Sequence, residues 1–176
     1  MTLHRALGER MAVPARFLVL MSASLGIVGV AGHFLGWPLM ASTLGPTGYV
    51  FASHPGSEEA KRRNAVVGHG IALAVGLFCL AVFGLWHHPS IAQQGHLVLT
   101  QVGAAALAGA LTIALLEVVG AHHAPAGATA LLVATGLAKP GPPLYGLVLG
   151  LAFLIVVGPE LSRRFPLARR QTEDSA

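Results

Sequence analysis

Gly45-Pro46-Thr47-Gly48 is repeated in altered form as Ala124-Pro125-Ala126-Gly127, 79 positions further along the chain. Each copy combines a proline, which favours the first turn of a helix, with a glycine two residues later. Each copy also lies between long apolar runs. The same shift of 79 positions carries the apolar run that begins near residue 17 to residue 96, and the run that begins at residue 65 to residue 144. The chain therefore contains an internal repeat, with halves at about 17–86 and 96–161.

The composition is that of a membrane protein. Among 176 residues, 54% are hydrophobic and 10% are charged, whereas soluble proteins have about 25% charged residues. Four runs approach the length of about 20 residues that crosses a bilayer, and these are 17–37, 65–86, 97–119 and 144–161. Two shorter segments, 38–53 and 125–138, contain glycine and proline. The first run could instead be a signal peptide, but it exceeds the usual core of about 7–15 residues, so we expect an all-α membrane protein.

The basic residues predict the orientation of the chain in the membrane. Lys and Arg collect in short cytoplasmic loops, so both tails (1–16 and 162–176) and the 54–64 loop are expected in the cytoplasm. The 87–96 loop has no Lys, Arg, Asp or Glu and is expected outside. The bases are Arg5, Arg10 and Arg16; Lys61, Arg62 and Arg63; Arg163, Arg164, Arg169 and Arg170; and Lys139. They lack interleaved aromatic residues and are divided among three loops, which argues against nucleic-acid binding and favours anionic lipid headgroups. We expect a multi-pass protein of the cell (inner) membrane.

This orientation predicts an inverted repeat within one transmembrane domain, 17–161. The chain crosses outward along 17–37 and must return through the short segment 38–53, which requires a broken helix with a half-helix starting at Pro46. The second half runs in the opposite direction, with its half-helix starting at Pro125. Four full helices and two broken ones in a 3+3 inverted repeat are typical of a secondary transporter with a midplane site. A re-entrant pair of half-helices is the alternative.

The two half-helix starts suggest how such a site binds its substrate. The residues before the two prolines are Gly45 and Ala124, which have no side-chain oxygen to cap a helix. A helix N-terminus carries about half a positive charge, so a small anion at the midplane would satisfy the free N–H groups. Those groups belong to Thr47, Gly48, Tyr49, Ala126, Gly127 and Ala128, and Thr129 lies beside them. In the alternative interpretation the breaks are structural, satisfied by Thr47, Thr129 or buried water.

Three motifs resemble the HPP family of integral membrane proteins. The stretch from His123 to Leu131, His-Ala-Pro-Ala-Gly-Ala-Thr-Ala-Leu, resembles the His-Pro-Pro-Ala-Gly-Ala-Thr-Ala signature of that family. Thr43-Leu44-Gly45-Pro46-Thr47 resembles its Ser-Phe-Gly-Ala-Ser stretch, and residues 63–69 resemble its Arg-Asn-x-x-x-Gly-His. The motifs cover about 40–161. Ala124 departs from the signature, where the family has proline. The resemblance implies four spanning helices and nitrite transport, which is described for members in cyanobacterial and plastid membranes.

Ionisable residues inside apolar runs add candidates, because burying them in a membrane is costly. His69 and His123 lie near the predicted half-helices and would line the anion site or carry a proton with the anion. Arg63 and Asn64 would form the inner mouth. Glu117 would hold a proton, pair with Arg62 or Arg63 at the inner surface, or lie shallow enough to reach water; we favour the last two. We expect no metal site, no cofactor and no enzymatic activity, because no metal-ligand spacing or nucleophile–base motif appears.

The sequence thus predicts a multi-pass permease for a small monovalent anion, nitrite first, with nitrate or a short carboxylate as substitutes. Channel and proton-coupled carrier are both open. The alternative from another class is a non-transporting membrane scaffold or accessory subunit. Gly32 and Gly36, and Gly146 and Gly150, have the spacing that lets helices approach closely. They would pack helices together or join two copies, and we expect a homo-oligomer.

Overall fold

The apolar runs fold into α-helices joined by short connections. The computed structural model describes residues 3–165, with side chains from residue 13 onward, and within that part there is no β-strand. The all-α prediction is therefore confirmed for the described residues; the predicted tail beyond residue 165 lies outside them. The helices are α1 Leu3–Leu35, α2 Leu44–Ser53, α3 Arg62–Val82, α4 Ile91–Gln94, α5 Leu99–Val119, α6 Pro125–Ala134 and α7 Pro142–Arg164, and a 3₁₀ turn, Glu58–Ala60, precedes α3.

Four of these helices contain an apolar stretch long enough to cross a membrane, which confirms the four predicted spans. The stretches are Val13–Leu35, Arg62–Val82, Leu99–Val119 and Pro142–Arg164. Their lengths of 21–23 residues correspond to about 31–35 Å at 1.5 Å per residue, close to the thickness of the hydrocarbon core. Because α1 begins at Leu3, part of the predicted N-terminal tail is helical.

Three of the long helices end at a glycine with a left-handed backbone. Gly36, Gly84 and Gly120 have φ angles of 66°, 69° and 63°. After each glycine, the next residue donates its N–H to a carbonyl five positions back, as Trp37 does to Gly32 at 3.0 Å. This arrangement closes a helix, and it ends α1 and α3 before the predicted residues 37 and 86. Gly36, predicted to pack helices together, terminates α1 instead.

The two short helices start at or near the predicted prolines. α6 begins at Pro125, as predicted, whereas α2 begins at Leu44, two residues before Pro46. Thr43 already has helical backbone angles, and its carbonyl accepts the N–H of Thr47 at 3.2 Å. Pro46 therefore occupies the third helical position, where a backbone N–H would have no intrahelical partner. Each helix has ten residues, about 15 Å, or half of the hydrocarbon core.

Each short helix packs between long helices from different halves of the chain. α2 contacts α1 and α7, and α6 contacts α3 and α5. The apolar core around α2 also includes Ala65 of α3 and Val133 of α6, a second core lies among α3, α5 and α6, and contacts between α3 and α7 connect the groups. The order long–short–long thus occurs twice along the chain, and the last long helix of each half packs on the short helix of the other half.

Gly146 and Gly150 on α7 contact an extended segment of the same chain. A Cβ atom added to Gly146 would lie 2.6 Å from the carbonyl oxygen of Pro38, and one on Gly150 would lie 2.5 Å from that of Leu39. Only glycine allows the backbone to approach so closely. These two residues therefore accommodate the extended connection before α2, and Gly150 also faces Leu44 at the start of that helix; that they join two copies stays a prediction.

Gln101 fixes the opposite end of α6. Its buried Nε2 donates to the carbonyls of Pro89 at 3.2 Å and Thr135 at 3.3 Å. Its Oε1 accepts from Gln94 Nε2 at 2.6 Å and from the Val98 N–H at 3.2 Å. The 87–98 connection is thereby bonded to the last residues of α6, which fixes the position of the helix whose start forms the site.

Candidate functional site

Five polar side chains form a buried cluster where α2, α3 and α6 meet. They come from the start of α2, from α3, from the residue two positions before α6 and from α6 itself, and each is 3% exposed or less. We call this group the histidine–threonine cluster, and its members are Thr43, Thr47, His69, His123 and Thr129. Four of the five are sequence-predicted site residues. Thr43 is the member that the sequence analysis missed.

His69 is the centre of the cluster. Its Nε2 lies 3.2 Å from Thr47 Oγ1 and 3.2 Å from His123 Nε2, and its Nδ1 lies 2.9 Å from Thr129 Oγ1. The two imidazole rings meet edge to face with their centroids 4.9 Å apart. His123 Nδ1 in turn lies 2.8 Å from the carbonyl oxygen of Glu59. A continuous chain of hydrogen bonds therefore runs from the 3₁₀ turn to the start of α6.

The starts of the two short helices are in direct contact. Thr43 Oγ1 lies 3.1 Å from the carbonyl oxygen of Pro125, to which it can donate, and 3.0 Å from Thr129 Oγ1. Thr47 Oγ1 donates to the carbonyl of Thr43 at 2.9 Å. Residue 43 immediately precedes α2 and Pro125 is the first residue of α6, so the expected convergence of the two helix starts is present, and side-chain hydrogen bonds join them.

The hydrogen-bond partners determine which atoms carry hydrogens in the neutral cluster. A carbonyl can only accept, so His123 carries its hydrogen on Nδ1, facing Glu59, and its Nε2 is an acceptor. His69 then carries its hydrogen on Nε2, where His123 and Thr47 both accept it, and its Nδ1 accepts from the Thr129 hydroxyl. Thr129 has no second hydrogen, so Thr43 is the donor between the two hydroxyls.

The hydrogen-bond geometry of the cluster would accommodate one further proton without moving any heavy atom. The proton would add to His69 Nδ1, which would then donate to Thr129 Oγ1. Thr129 would turn its hydroxyl toward Thr43, and Thr43 would donate to the carbonyl of Pro125. Two hydroxyl rotations thus separate the neutral cluster from the singly protonated one, and every hydrogen keeps an acceptor in both.

The backbone N–H groups at the two helix starts are less available than predicted. Those of Thr47, Ala126 and Gly127 donate to the carbonyls of residues 43, 123 and 124, at 3.2, 3.0 and 3.1 Å. The residue before each helix, Thr43 or Ala124, already has helical φ and ψ angles, so each turn supplies its own acceptors. The expectation that these N–H groups are free for an anion is wrong for these three residues.

The predicted glycines face long helices instead of a common space. A Cβ on Gly48 would lie 2.9 Å from Met21 Cε on α1, and a Cβ on Gly127 would lie 3.5 Å from Ile113 Cδ1 on α5. Pro46 is exposed. Of the remaining predicted residues, Gly45 and Ala128 are half-buried and Ala126 is buried. The polar side chains at the predicted site converge, whereas the two glycines do not.

Gly68 allows His123 to approach α3. A Cβ on Gly68 would lie 3.2 Å from His123 Cβ and 3.3 Å from Ala126 Cβ. The glycine therefore provides the space in which the residues before and after the start of α6 pack against α3. The adjacent residues Gly68 and His69 therefore act on the same side chain. Gly68 makes room for the imidazole of His123, and His69 bonds to it.

The predicted inner mouth has a different arrangement. Asn64 is buried, and its Nδ2 donates to the carbonyl of Glu58 at 3.0 Å, which fixes the 3₁₀ turn that holds His123. Arg63 is exposed. Glu117, predicted to pair with Arg62 or Arg63, lies 3.5 Å from His122 Nδ1 with 68% of its side chain exposed. That pairing prediction is wrong.

A basic cleft of about 350 Å³ opens beside the 3₁₀ turn. Lys61, Arg62 and Arg163 contribute to its walls, and Phe51 and Pro159 are among the apolar residues lining it. Phe51 is 1% exposed, and its ring centroid lies 6.2 Å from that of His123. Phe51 therefore contacts both the cleft and the histidine–threonine cluster. Arg62, and not the predicted Arg63, lines this opening.

Some of these residues carried a readable signal in the sequence. Thr43, Thr47 and Phe51 are spaced four residues apart, so they share one face of a helix. The carbonyl of Glu59 and the space at Gly68 depend on how distant segments pack, and no local pattern encodes them.

Within residues 3–165, no group of three His, Cys, Asp or Glu side chains is arranged to hold a metal ion.

Comparison with known proteins agrees with the motifs. The family model described as "HPP, transmembrane region" matches residues 9–166. No curated protein and no solved structure gives a significant match. The match covers all four apolar spans and both short helices, and it confirms the resemblance drawn from the three motifs. The chain therefore belongs to the HPP family of transmembrane proteins.

Proposed function

We propose that the protein is a permease for a small monovalent anion, nitrite first and nitrate or a short carboxylate as substitutes. One observation carries the proposal: two ten-residue helices start against each other at a buried cluster that contains two histidines and three hydroxyls. Burying so many polar groups in a membrane domain is costly, and such groups are functional candidates. Membership of a transmembrane family is consistent with transport.

The proposal includes the 3+3 inverted repeat. Two observations support it. The order long–short–long occurs twice, and the contacts among the helices stay the same when α1, α2 and α3 are exchanged for α5, α6 and α7. The positive-inside rule places the end with Lys61, Arg62 and Arg163 in the cytoplasm. Each short helix would then start near the midplane, as in transporters whose broken helices meet at the substrate.

Side chains, more than backbone N–H groups, would hold the anion. Several backbone donors at the helix starts are already bonded, so the hydroxyls of Thr43, Thr47 and Thr129 and the N–H of His69 are the donors that an entering anion would find. The two helix N-termini would add a favourable field, about half a charge each. A proton taken up by His69 would offset the charge of the anion, so the cluster suits a proton-coupled carrier.

The second candidate is a non-transporting scaffold or accessory subunit. The hydrogen bonding of the cluster favours it, because each of the five side chains already has a partner within 3.2 Å. Such a group can simply hold helices together, as interhelical hydrogen bonds do in other membrane proteins.

Nitrite uptake into liposomes containing the purified protein separates the two candidates. We expect Thr47→Val, which keeps the shape and removes the hydroxyl, to reduce the uptake rate by at least about tenfold, the effect of about 1.4 kcal/mol. Thr47→Ser should retain most of the rate, because it keeps the donor. Thr135→Val is the control, since that hydroxyl bonds only to carbonyls of its own helix. Uptake by the wild-type protein no faster than by protein-free liposomes would favour the scaffold, whereas equal rates in the Thr47→Val and Thr135→Val proteins would exclude the proposed role of the Thr47 hydroxyl.

A further inference from the structure

The basic cleft has a positive interior. Arg62 Nη2 donates to the backbone carbonyl of Val156 at 3.0 Å, so its charge is held at the wall by a neutral group. Lys61 and Arg163 each pair with a carboxylate, Glu58 and Glu160 respectively. Three of the residues that line the cleft are cationic and none of the lining residues carries a carboxylate, and a concave surface with low-dielectric walls concentrates the field of its charges. The cleft therefore suits a small oxyanion.

Phe51 forms the floor of the cleft. It lies one helical turn after Thr47 on the same face of α2, with its ring against α7. A Cβ on Gly158 would lie 2.9 Å from Phe51 Cδ2, so the ring occupies space that only a glycine at this position leaves open. The ring also lies beside His123, with the two ring centroids 6.2 Å apart. Phe51 therefore borders both the cleft and the histidine–threonine cluster.

The wall of the cleft is bonded to the cluster. The 3₁₀ turn Glu58–Ala60 leads directly into Lys61 and contributes Ala60 to the cleft. The carbonyl of Glu59 in this turn accepts the hydrogen of His123 Nδ1 at 2.8 Å. A change in the hydrogen bonding of His123 would thus act on the turn beside the cleft, as well as on the ring that closes it.

We propose that the basic cleft is the inner vestibule of the anion path, where an oxyanion binds, and that Phe51 is the gate between this vestibule and the histidine–threonine cluster. The inference rests on the proposed permease function and names the entrance and the barrier of the same site. The oxyanion would be the free transported anion; a phosphate of a lipid headgroup has the same chemistry, and the experiment below distinguishes the two.

Thiol labelling tests the gate without requiring transport. Cys79, the chain's single cysteine, is replaced by alanine, and Thr47→Cys places a reporter one turn behind Phe51. A sulfonate-bearing, membrane-impermeant methanethiosulfonate should label this reporter slowly. We expect Phe51→Ala to increase the labelling rate at least tenfold, and Phe51→Leu, which keeps more of the apolar volume, at least threefold. Phe153→Ala is the control, because Phe153 packs on the same apolar core but does not line the cleft.

The vestibule is tested with Ala60→Cys in the same cysteine-free protein. In vesicles of neutral phosphatidylcholine, nitrite should slow labelling at residue 60 at least threefold, and Arg62→Gln should abolish this protection. Arg164→Gln is the control, since Arg164 lies outside the cleft and pairs with Glu160. Protection that requires phosphatidylglycerol and not nitrite would identify a headgroup site and overturn the vestibule, as would an absence of protection.

The outcomes separate this inference from the proposed function. A protein that labels as expected but transports no nitrite refutes the permease and leaves the cleft and its barrier as an anion-accessible entrance. A protein that transports nitrite, but in which both Phe51 variants label no faster than Phe153→Ala, refutes the gate alone.

Discussion

Replacing Thr129 with valine removes one hydroxyl from the centre of the buried cluster and keeps the shape of the side chain. The hydroxyl lies 2.9 Å from His69 Nδ1 and 3.0 Å from Thr43 Oγ1. The Thr43 hydroxyl can turn to the carbonyl of Pro125, but His69 Nδ1 becomes a buried acceptor without a donor. An unsatisfied buried group costs about 1–3 kcal/mol, and interhelical hydrogen bonds in membranes contribute about 0.6–1.7 kcal/mol. We expect the free energy of unfolding to fall by about 1–3 kcal/mol.

The assay is unfolding of the detergent-solubilised protein by dodecyl sulfate, followed by circular dichroism. Thr135→Val is the matched control, six residues further along and directly after α6. Thr135 Oγ1 donates to the carbonyl of Leu131 at 2.7 Å, and that carbonyl also accepts the Thr135 N–H, so no buried group is left unpaired. Its loss should cost about 0.5 kcal/mol, the lower end for one hydrogen bond. Equal losses in the two variants would refute the hydrogen-bond assignment.

A double-mutant cycle tests the contact between the two helix starts. Thr43→Val and Thr129→Val should couple by about 0.5 kcal/mol or more, because they remove the two ends of one hydrogen bond. Thr43→Val and Thr135→Val share no contact, and their effects should add. Additivity in the first pair would mean that the starts of α2 and α6 are not joined by these hydroxyls.

Two further predictions concern packing and topology. Gly150→Ala should destabilise the protein by about 1–3 kcal/mol, since the new methyl group would overlap the carbonyl of Leu39. The control Gly70→Ala, with open space around it, should be neutral or stabilising by up to about 1 kcal/mol. Similar losses of unfolding free energy in both variants would contradict the packing of residues 38–41 on α7. In the cysteine-free protein, Gly56→Cys should react with an impermeant thiol reagent only from the cytoplasmic side of oriented membranes, and Ala92→Cys should react only from the outer side. Reactivity of both cysteines from one side would contradict the proposed orientation.

Hydropathy and charge were sufficient to predict the long helices. Lipid requires each spanning segment to satisfy its own backbone, so four apolar runs of about 20 residues become four helices whatever their neighbours are. The start of α6 was equally readable, because Pro125 sits at the first helical position. Helix ends were less accurate, since Gly36 and Gly84 terminate α1 and α3 through left-handed turns that apolar counting does not register.

The site was predicted in part. His69, His123, Thr47 and Thr129 could be named because polar residues are conspicuous in apolar runs, and they do converge. The way in which they bind each other could not be read from the sequence. Thr43 has helical backbone angles before α2 begins. Its carbonyl therefore accepts a backbone N–H that was expected to be free because no side chain caps the helix.

Distances between remote segments account for the remaining differences. Arg62 and Arg63 are adjacent in sequence, and only the packing of α3 against α7 decides that Arg62 faces the cleft. Phe51 is one apolar residue among many until tertiary packing brings its ring against Gly158 and His123. These features depend on tertiary contacts, for which local periodicity contains no information.

The initial rate of nitrite uptake by the purified wild-type protein in liposomes tests the permease most directly. We predict uptake that saturates with nitrite concentration, exceeds that of protein-free liposomes at least tenfold, and increases when the compartment from which nitrite enters is made more acidic. Uptake equal to that of protein-free liposomes, from protein whose circular dichroism shows it to be folded, would contradict the assignment of transport to this chain.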